Sequence, residues 1–219
     1  MKILIACESS QTVCKAFREK GHIAFSCDIT PCYGGYPEWH IMGDCLEIIN
    51  GYVPFYTQDQ TYHKDVIHQQ WDMVIAHPPC TYLSKAGACN LFDFYGKIKD
   101  TDRYLKGVEA SKFFLKVLSA KTPRLCVENP VPIKLFKLPS WTQIIQPYFF
   151  GDPYSKATCL WLKGLPPLQV TNLVESNVEP WCKLHSSPRL RSKTFTGIAL
   201  AMAEQWTEEA LPYQLSFDI

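Results

Sequence analysis

Four short apolar runs, each stopped abruptly by polar residues or prolines, constrain this chain more than any other feature. Lys2-Ile3-Leu4-Ile5-Ala6-Cys7 stops at Glu8-Ser9-Ser10-Gln11, and Ile23-Ala24-Phe25-Ser26-Cys27 stops at Asp28. Trp71-Asp72-Met73-Val74-Ile75-Ala76 meets His77-Pro78-Pro79, and Arg124-Leu125-Cys126-Val127-Glu128 meets Asn129-Pro130. Runs this short and apolar suit strands buried on both faces. Helical segments lie between them. The first turns Val13, Ala16 and Phe17 inward and closes at Gly21, and a second from Arg103 to Ala120 carries Leu105, Val108, Leu115 and Leu118 near helical spacing. Alternation of this kind predicts an α/β fold, a doubly wound and mostly parallel sheet wrapped by helices.

Elsewhere the chain is less regular. Residues 29 to 70 hold long loops and a short strand near Ile41-Met42-Gly43-Asp44, and residues 151 to 190 hold one strand at Thr158 to Leu162. A helix from Ile198 to Trp206 follows, with no internal repeat. The 219 residues suit one domain, 1–219, and 47% hydrophobic with 20% charged content excludes disordered and fibrous classes. Lys+Arg at 22 against Asp+Glu at 21 gives a net charge of +1, so a phosphate-binding surface has to come from local clustering. No apolar run reaches the roughly 18 to 20 residues that cross a bilayer, and the opening run is short for a signal peptide, so a soluble, cytoplasmic protein is expected. Its ten cysteines include no CxxC pair, which predicts reduced thiols.

In an open parallel sheet the ligand crevice lies at the carboxyl ends of the strands, which here carry Glu8-Ser9-Ser10, Asp28, Asp44, His77-Pro78-Pro79-Cys80 and Glu128-Asn129. An acid about 20 residues past the first turn sits where nucleotide-type cofactors have their ribose hydroxyls held; Asp28 fits that role, or else caps the next turn. Two prolines keep the backbone extended and present Cys80 at the crevice rim, where a thiol can act as a nucleophile. Cys27, Cys32, His40 and Cys45 match no standard zinc spacing, and no metal is expected. A zinc deaminase would need His-x-Glu with Pro-Cys-x-x-Cys, and neither half occurs.

Taken together, Pro78-Pro79-Cys80 and Glu128-Asn129 resemble the motifs of the DNA cytosine-C5 methyltransferases. The resemblance runs in order through Asp28, Gly43-Asp44, Gly151-Asp152-Pro153 and the helix after Gly197, and is strongest to short phage and prophage members, in Ala6-Cys7-Glu8, Ser26-Cys27-Asp28 and His77 to Leu83. It implies a Rossmann-like sheet of the S-adenosylmethionine-dependent type. Cys80 would add to carbon 6 of cytosine while Glu128, with a raised pKa, protonates or hydrogen-bonds N3, and Asn129 orients Glu128 or contacts the base. Asp28 would hold the cofactor ribose and Asp44 the adenine amino group, with Cys7, Glu8, Ser9 and Ser10 near methionine and Pro79 between cofactor and base. Amino-group methyltransferases carry Asp/Asn-Pro-Pro-Tyr/Phe at this strand end, so Cys80 argues for carbon as the acceptor.

The chain departs from the family pattern in three places. Lys156 alone keeps a positive charge where the family has paired arginines, and Lys is no bidentate substitute for Arg. The glycine-rich first turn is replaced by Glu8-Ser9-Ser10-Gln11, so close approach to the cofactor has to be managed without glycine. Residues 163–193 stand as a reduced loop region in place of a target-recognition domain. Within it Lys183, Arg189, Arg191 and Lys193 form a cluster suited to phosphates, and the expected partner is DNA, either single-stranded or a duplex with the cytosine flipped out. Two alternatives stay open: the same chemistry on a free nucleotide or RNA, and a non-catalytic protein that binds cofactor or nucleic acid.

Overall fold

The computed structural model describes residues 1–51, 53–64, 70–181 and 193–207. The first apolar run forms β1 (Lys2–Ala6), followed by α1 (Thr12–Glu19) and β2 (Ile23–Asp28), which pairs in parallel with β1. Val13, Ala16 and Phe17 are buried on α1 as their spacing predicts, and Gly21 takes the left-handed conformation that closes the helix. A short β3 (His40–Met42) pairs with β2 at the sheet edge, and α2 (Cys45–Ile48) follows. Next come a small hairpin, β4 (Phe55–Tyr56) with β5 (Tyr62–His63), then β6 (Met73–Ala76), α3 (Ala88–Leu91) and α4 (Thr101–Leu118). The second half holds β7 (Leu125–Pro130), β8 (Gln143–Ile145), β9 (Tyr154–Ser155), β10 (Thr158–Lys163), β11 (Glu179–Pro180) and α5 (Thr196–Gln205).

Seven strands make the main sheet in the order β3-β2-β1-β6-β7-β10-β8. All run parallel except β10, which is antiparallel to both of its neighbours. The expected doubly wound, mostly parallel sheet is therefore present. Alternate residues of β1 show why both faces are covered. Leu4 and Ala6 join Val74, Val127, Phe114 and Val117 on the α4 side, whereas Ile3 and Ile5 join Ile75, Phe17 and Met202 on the side of α1 and α5.

Three expectations need correction. Leu105 and Leu115 are exposed, and α4 buries Gly107, Phe114 and Val117 instead. Gly107 sets that orientation, because a Cβ there would lie 2.1 Å from the Phe136 ring, so only glycine lets the ring lie against the helix. The fourth strand does not end at Glu128, since β10 continues the pairing through Asn129 and Pro130. The irregular segments also hold strands that apolar patterning does not mark, the β4–β5 hairpin, β9 and β11, and β8 lies outside them; each is only two or three residues long. The described cysteines all remain thiols. No helix among the described residues is long and apolar enough to cross a membrane.

Candidate active site

Parallel strands deliver their carboxyl ends to one edge of the sheet, and a cavity of about 330 Å³ opens there. Its wall is made by Cys7, Glu8, Ser9 and Ser10 after β1, Asp28 ending β2, His77 to Thr81 after β6, and Glu128 and Pro130 on β7. Lys156 reaches the same wall because β10 runs the other way and brings its beginning to this edge. The segments carrying Cys80 and Glu128 are 48 positions apart in sequence and belong to adjacent strands, β6 and β7. Cys80 is half-buried, and the turn it starts is held by the amides of Leu83 and Ser84, which donate to its carbonyl.

The first turn manages its tight geometry without glycine by placing Cys7 and Gln11 in the left-handed region, both at φ 58°. Such a conformation costs a non-glycine residue roughly 1–2 kcal/mol, so something must hold it. For Gln11 the hold is its fully buried carboxamide, which accepts from the Tyr36 amide at 3.1 Å and donates to the Tyr36 carbonyl at 2.7 Å. The loop above also lies directly on the turn, since a Cβ at Gly34 would sit 2.5 Å from the Ser10 carbonyl oxygen.

Glu8 does not offer its side chain to the cavity as a ligand group. Its carboxylate accepts from the amides of Val13 at 2.8 Å and Cys14 at 3.2 Å and from the Ser10 hydroxyl at 3.2 Å, so it caps α1 from inside. Gln11 stands at the N-cap position without a side-chain cap bond, and Glu8 supplies the cap. Burial pushes its carboxyl up, against the opposing effects of the His77 charge and those donors.

Asp28 closes the turn that follows β2. It lines the cavity, and its Oδ1 accepts from the Thr30 amide and hydroxyl at 2.9 and 2.8 Å. Asp44 does not line the cavity: it is exposed past the edge strand β3, where it accepts from the Leu46 amide to cap α2. Asn129 is fully buried and also lies off the wall, donating to the Pro78 carbonyl at 3.3 Å. That bond ties β7 to the segment that presents Cys80.

Glu128 is where the electrostatics depart most from expectation. Burial raises its carboxyl pKa, but the hydrogen bond from His77, the Lys156 ammonium, the His77 charge and Thr158 together bring it below its ordinary value. Glu128 is therefore a carboxylate in this site, contrary to the raised pKa anticipated for an acid. His77 Nδ1 lies 3.3 Å from Glu128 Oε2, with 9% and 17% of the two side chains exposed. Residue patterning gave His77 no role; its place at a strand end beside Cys80 was the available signal. Tyr33 and Thr194 also line the wall without having been anticipated.

Lys156 is half-buried and acts on Glu128, which a solvated surface lysine would not do. Lys193 is exposed and lines the cavity, whereas Lys183, Arg189 and Arg191 lie outside the described residues. Among the described residues no three His, Cys, Asp or Glu side chains gather as a metal site. The nitrogens of His40 are engaged by the Ser26 hydroxyl and the Thr30 carbonyl.

A scan of protein-family models finds no match, and neither does a search of curated proteins. Among solved structures the chain is similar to the Entamoeba histolytica methyltransferase EhMeth, at 14% identity and TM-score 0.45 over 80% of this chain and 57% of that one. It is similar to an E. coli prophage-encoded protein assigned as a DNA modification methyltransferase, at 14% identity and TM-score 0.43 over 74% and 46%. The S. pombe Dnmt2 methyltransferase aligns at 11% identity and TM-score 0.37 over 76% and 50%. The chain thus spans about half the length of these proteins. Its own sheet, mostly parallel with one reversed strand next to the last, is a Rossmann-like doubly wound fold.

Proposed function

We propose that this protein transfers a methyl group from S-adenosylmethionine to C5 of cytosine in DNA. The observation that carries the reading is that Cys80, just after β6, and Glu128, on the adjacent β7, line the same cavity as the first turn and Asp28. Carbon 5 of cytosine is a poor nucleophile until a thiolate adds at carbon 6, and that addition needs charge at N3 to be neutralised. Cys80 supplies the thiolate and Glu128 the group at N3. S-adenosylmethionine, when bound, supplies the electrophilic methyl.

The residues present fit that cofactor. Asp28 leaves Oδ2 outside its turn contacts for the ribose hydroxyls. The left-handed backbone at Cys7 and Gln11 gives the close approach that glycines would otherwise provide, with Ser9 and Ser10 facing the same space. Pro79, also on the wall, lies between cofactor and base in this reading. Asp44 is given no cofactor contact in this reading, and Asn129 positions the Cys80 segment. Residues 163–193 act as a reduced recognition region within one catalytic domain, so the preferred site in DNA is short, and Lys193 with Lys183, Arg189 and Arg191 meets phosphates.

A labelled-methyl transfer assay on DNA, RNA and dCMP tests this. Transfer to DNA is expected, with Cys80→Ser abolishing it while cofactor binding persists, and Glu128→Gln slowing it by about 10². Transfer confined to RNA or dCMP overturns the substrate, and full activity in Cys80→Ser overturns the mechanism.

A further inference from the structure

Cys80 is presented by a turn that is held from outside as well as from within. The amides of Leu83 and Ser84 close it on the Cys80 carbonyl at 3.1 and 3.0 Å. Beyond it, the Lys85 amide donates to the Val131 carbonyl and the Ile133 amide to the Leu83 carbonyl, which ties the chain to the residues after β7. Those bonds leave out the Thr81 carbonyl, directly after Cys80. It accepts instead from Arg103 Nη2 at 2.7 Å. Arg103 stands in the first turn of α4, and its own amide donates to Asp100 Oδ1 at 2.8 Å, so the arm is rooted on a helix whose inner face is buried against the sheet.

The surroundings of the guanidinium are shaped for this contact. Its carbon lies 5.1 Å from the centroid of the Tyr82 ring, and the Lys106 ammonium, one turn further along α4, lies 5.8 Å from the same ring. Gly87 leaves room for it, since a Cβ there would sit 2.5 Å from Nη2 and 3.1 Å from the Thr81 carbonyl oxygen. Among the described residues no carboxylate pairs with Arg103, so a surface ion pair does not account for the placement of this half-buried side chain.

Resting on the cytosine-C5 reading above, we propose that Arg103 is a positioning residue for Cys80. It takes no part in bond making. Addition at carbon 6 requires the sulfur to stand about 3–3.5 Å from that carbon along the right line, and a displacement of about 1 Å costs on the order of 10²-fold in rate. Two carbonyls set the path of the chain through Cys80: that of Pro78, which accepts from Asn129, and that of Thr81, which accepts from Arg103. The thiol is thus braced from β7 before it and from α4 after it. Arginine suits the second brace because a planar guanidinium donates in its own plane while stacking on an aromatic ring, whereas an ammonium is a point charge on a flexible stem.

The test uses the full chain and three variants. Arg103→Met keeps the reach without a donor, Arg103→Lys keeps the charge, and Gly87→Ala keeps the arginine but puts a methyl group where its Nη2 lies. The first readout is labelled-methyl transfer to DNA. Arg103→Met and Gly87→Ala are expected to lower kcat by about 10- to 100-fold with KM within about threefold, and Arg103→Lys to recover part of the loss. The second is hydrogen exchange at the Leu83 and Ser84 amides in ligand-free protein, expected to quicken by about tenfold in Arg103→Met while the amides of β1 and β6 keep their rates. A kcat within about threefold of wild type in Arg103→Met overturns the proposal, as does exchange that this variant leaves unchanged. So does a raised KM at unchanged kcat with a shallower salt dependence, the mark of an arginine that meets a phosphate. Absence of methyl transfer by the wild type overturns the cytosine-C5 reading, while exchange at Leu83 and Ser84 still decides whether Arg103 holds the turn.

Discussion

Glu8 gives the most direct test of how the first turn is built. Its side chain, 4% exposed, is the acceptor for two α1 amides and one hydroxyl. In Glu8→Ala the helix loses its cap, worth about 1–2 kcal/mol, and two amides are left buried without partners at a further cost of about 1–3 kcal/mol. Against this stands the cost of burying an ionised carboxyl, which its raised pKa reports. The net expectation is a loss of about 2 kcal/mol, and at about 2–4 °C per kcal/mol for a chain of this size Tm falls by about 4–8 °C. Folding raises this carboxyl's pKa above the ordinary 4.5, so the folded state holds the proton more tightly than the unfolded one. Its contribution is therefore fully present below that ordinary value and declines as pH rises through the folded value. Glu8→Gln, which copies the protonated form, should gain on the wild type as the pH rises above the ordinary 4.5. Urea unfolding of all three proteins over that rise in pH measures both effects. A Glu8→Ala variant within about 0.5 kcal/mol of wild type, or a Gln variant whose difference does not change with pH, would refute the capping argument.

Two further substitutions test neighbouring elements. Gln11→Ala should unfold at lower urea than Gln11→Gly by an amount worth about 1 kcal/mol, since glycine relieves the left-handed backbone, and both should fall below the wild type because the bonds to Tyr36 are gone; a Gly variant as stable as wild type removes the carboxamide from the account. Gly197→Ala places a Cβ 1.9 Å from the backbone oxygen of Phe150, which has no side-chain freedom to give way, so α5 has to shift and thermal unfolding should show a loss of about 2 kcal/mol or more.

How much of this was legible in sequence depends on the distance over which each feature is decided. The strand ends were legible because an apolar run stopped by Glu8, Asp28 or Pro78 is a local signal, and the topology of parallel sheets then gathers those ends at one rim. The inner face of α4 was not, because Gly107 and Phe136 meet through a later 3₁₀ turn. The ionisation of Glu128 was not legible either. It depends on His77, 51 positions earlier, and on Lys156, 28 positions later, and neither spacing follows a helical or strand period. Asp44 looked equivalent to Asp28, but it follows an edge strand of three residues and its carboxylate is taken up by the next helix.

Reversing a single strand has a structural corollary at the far edge of the sheet. Because β10 starts where its neighbours finish, the tight crossing that leads out of it packs Gly164 against Pro123 at the edge opposite the cavity. The ammonium of Lys156 thus stands at an entry point of the sheet, while the imidazole and carboxylate it faces stand at exit points. Lengthening the connection after β10 would leave that electrostatic meeting intact, whereas one residue inserted between Lys156 and Thr158 would swing the cation out of the rim.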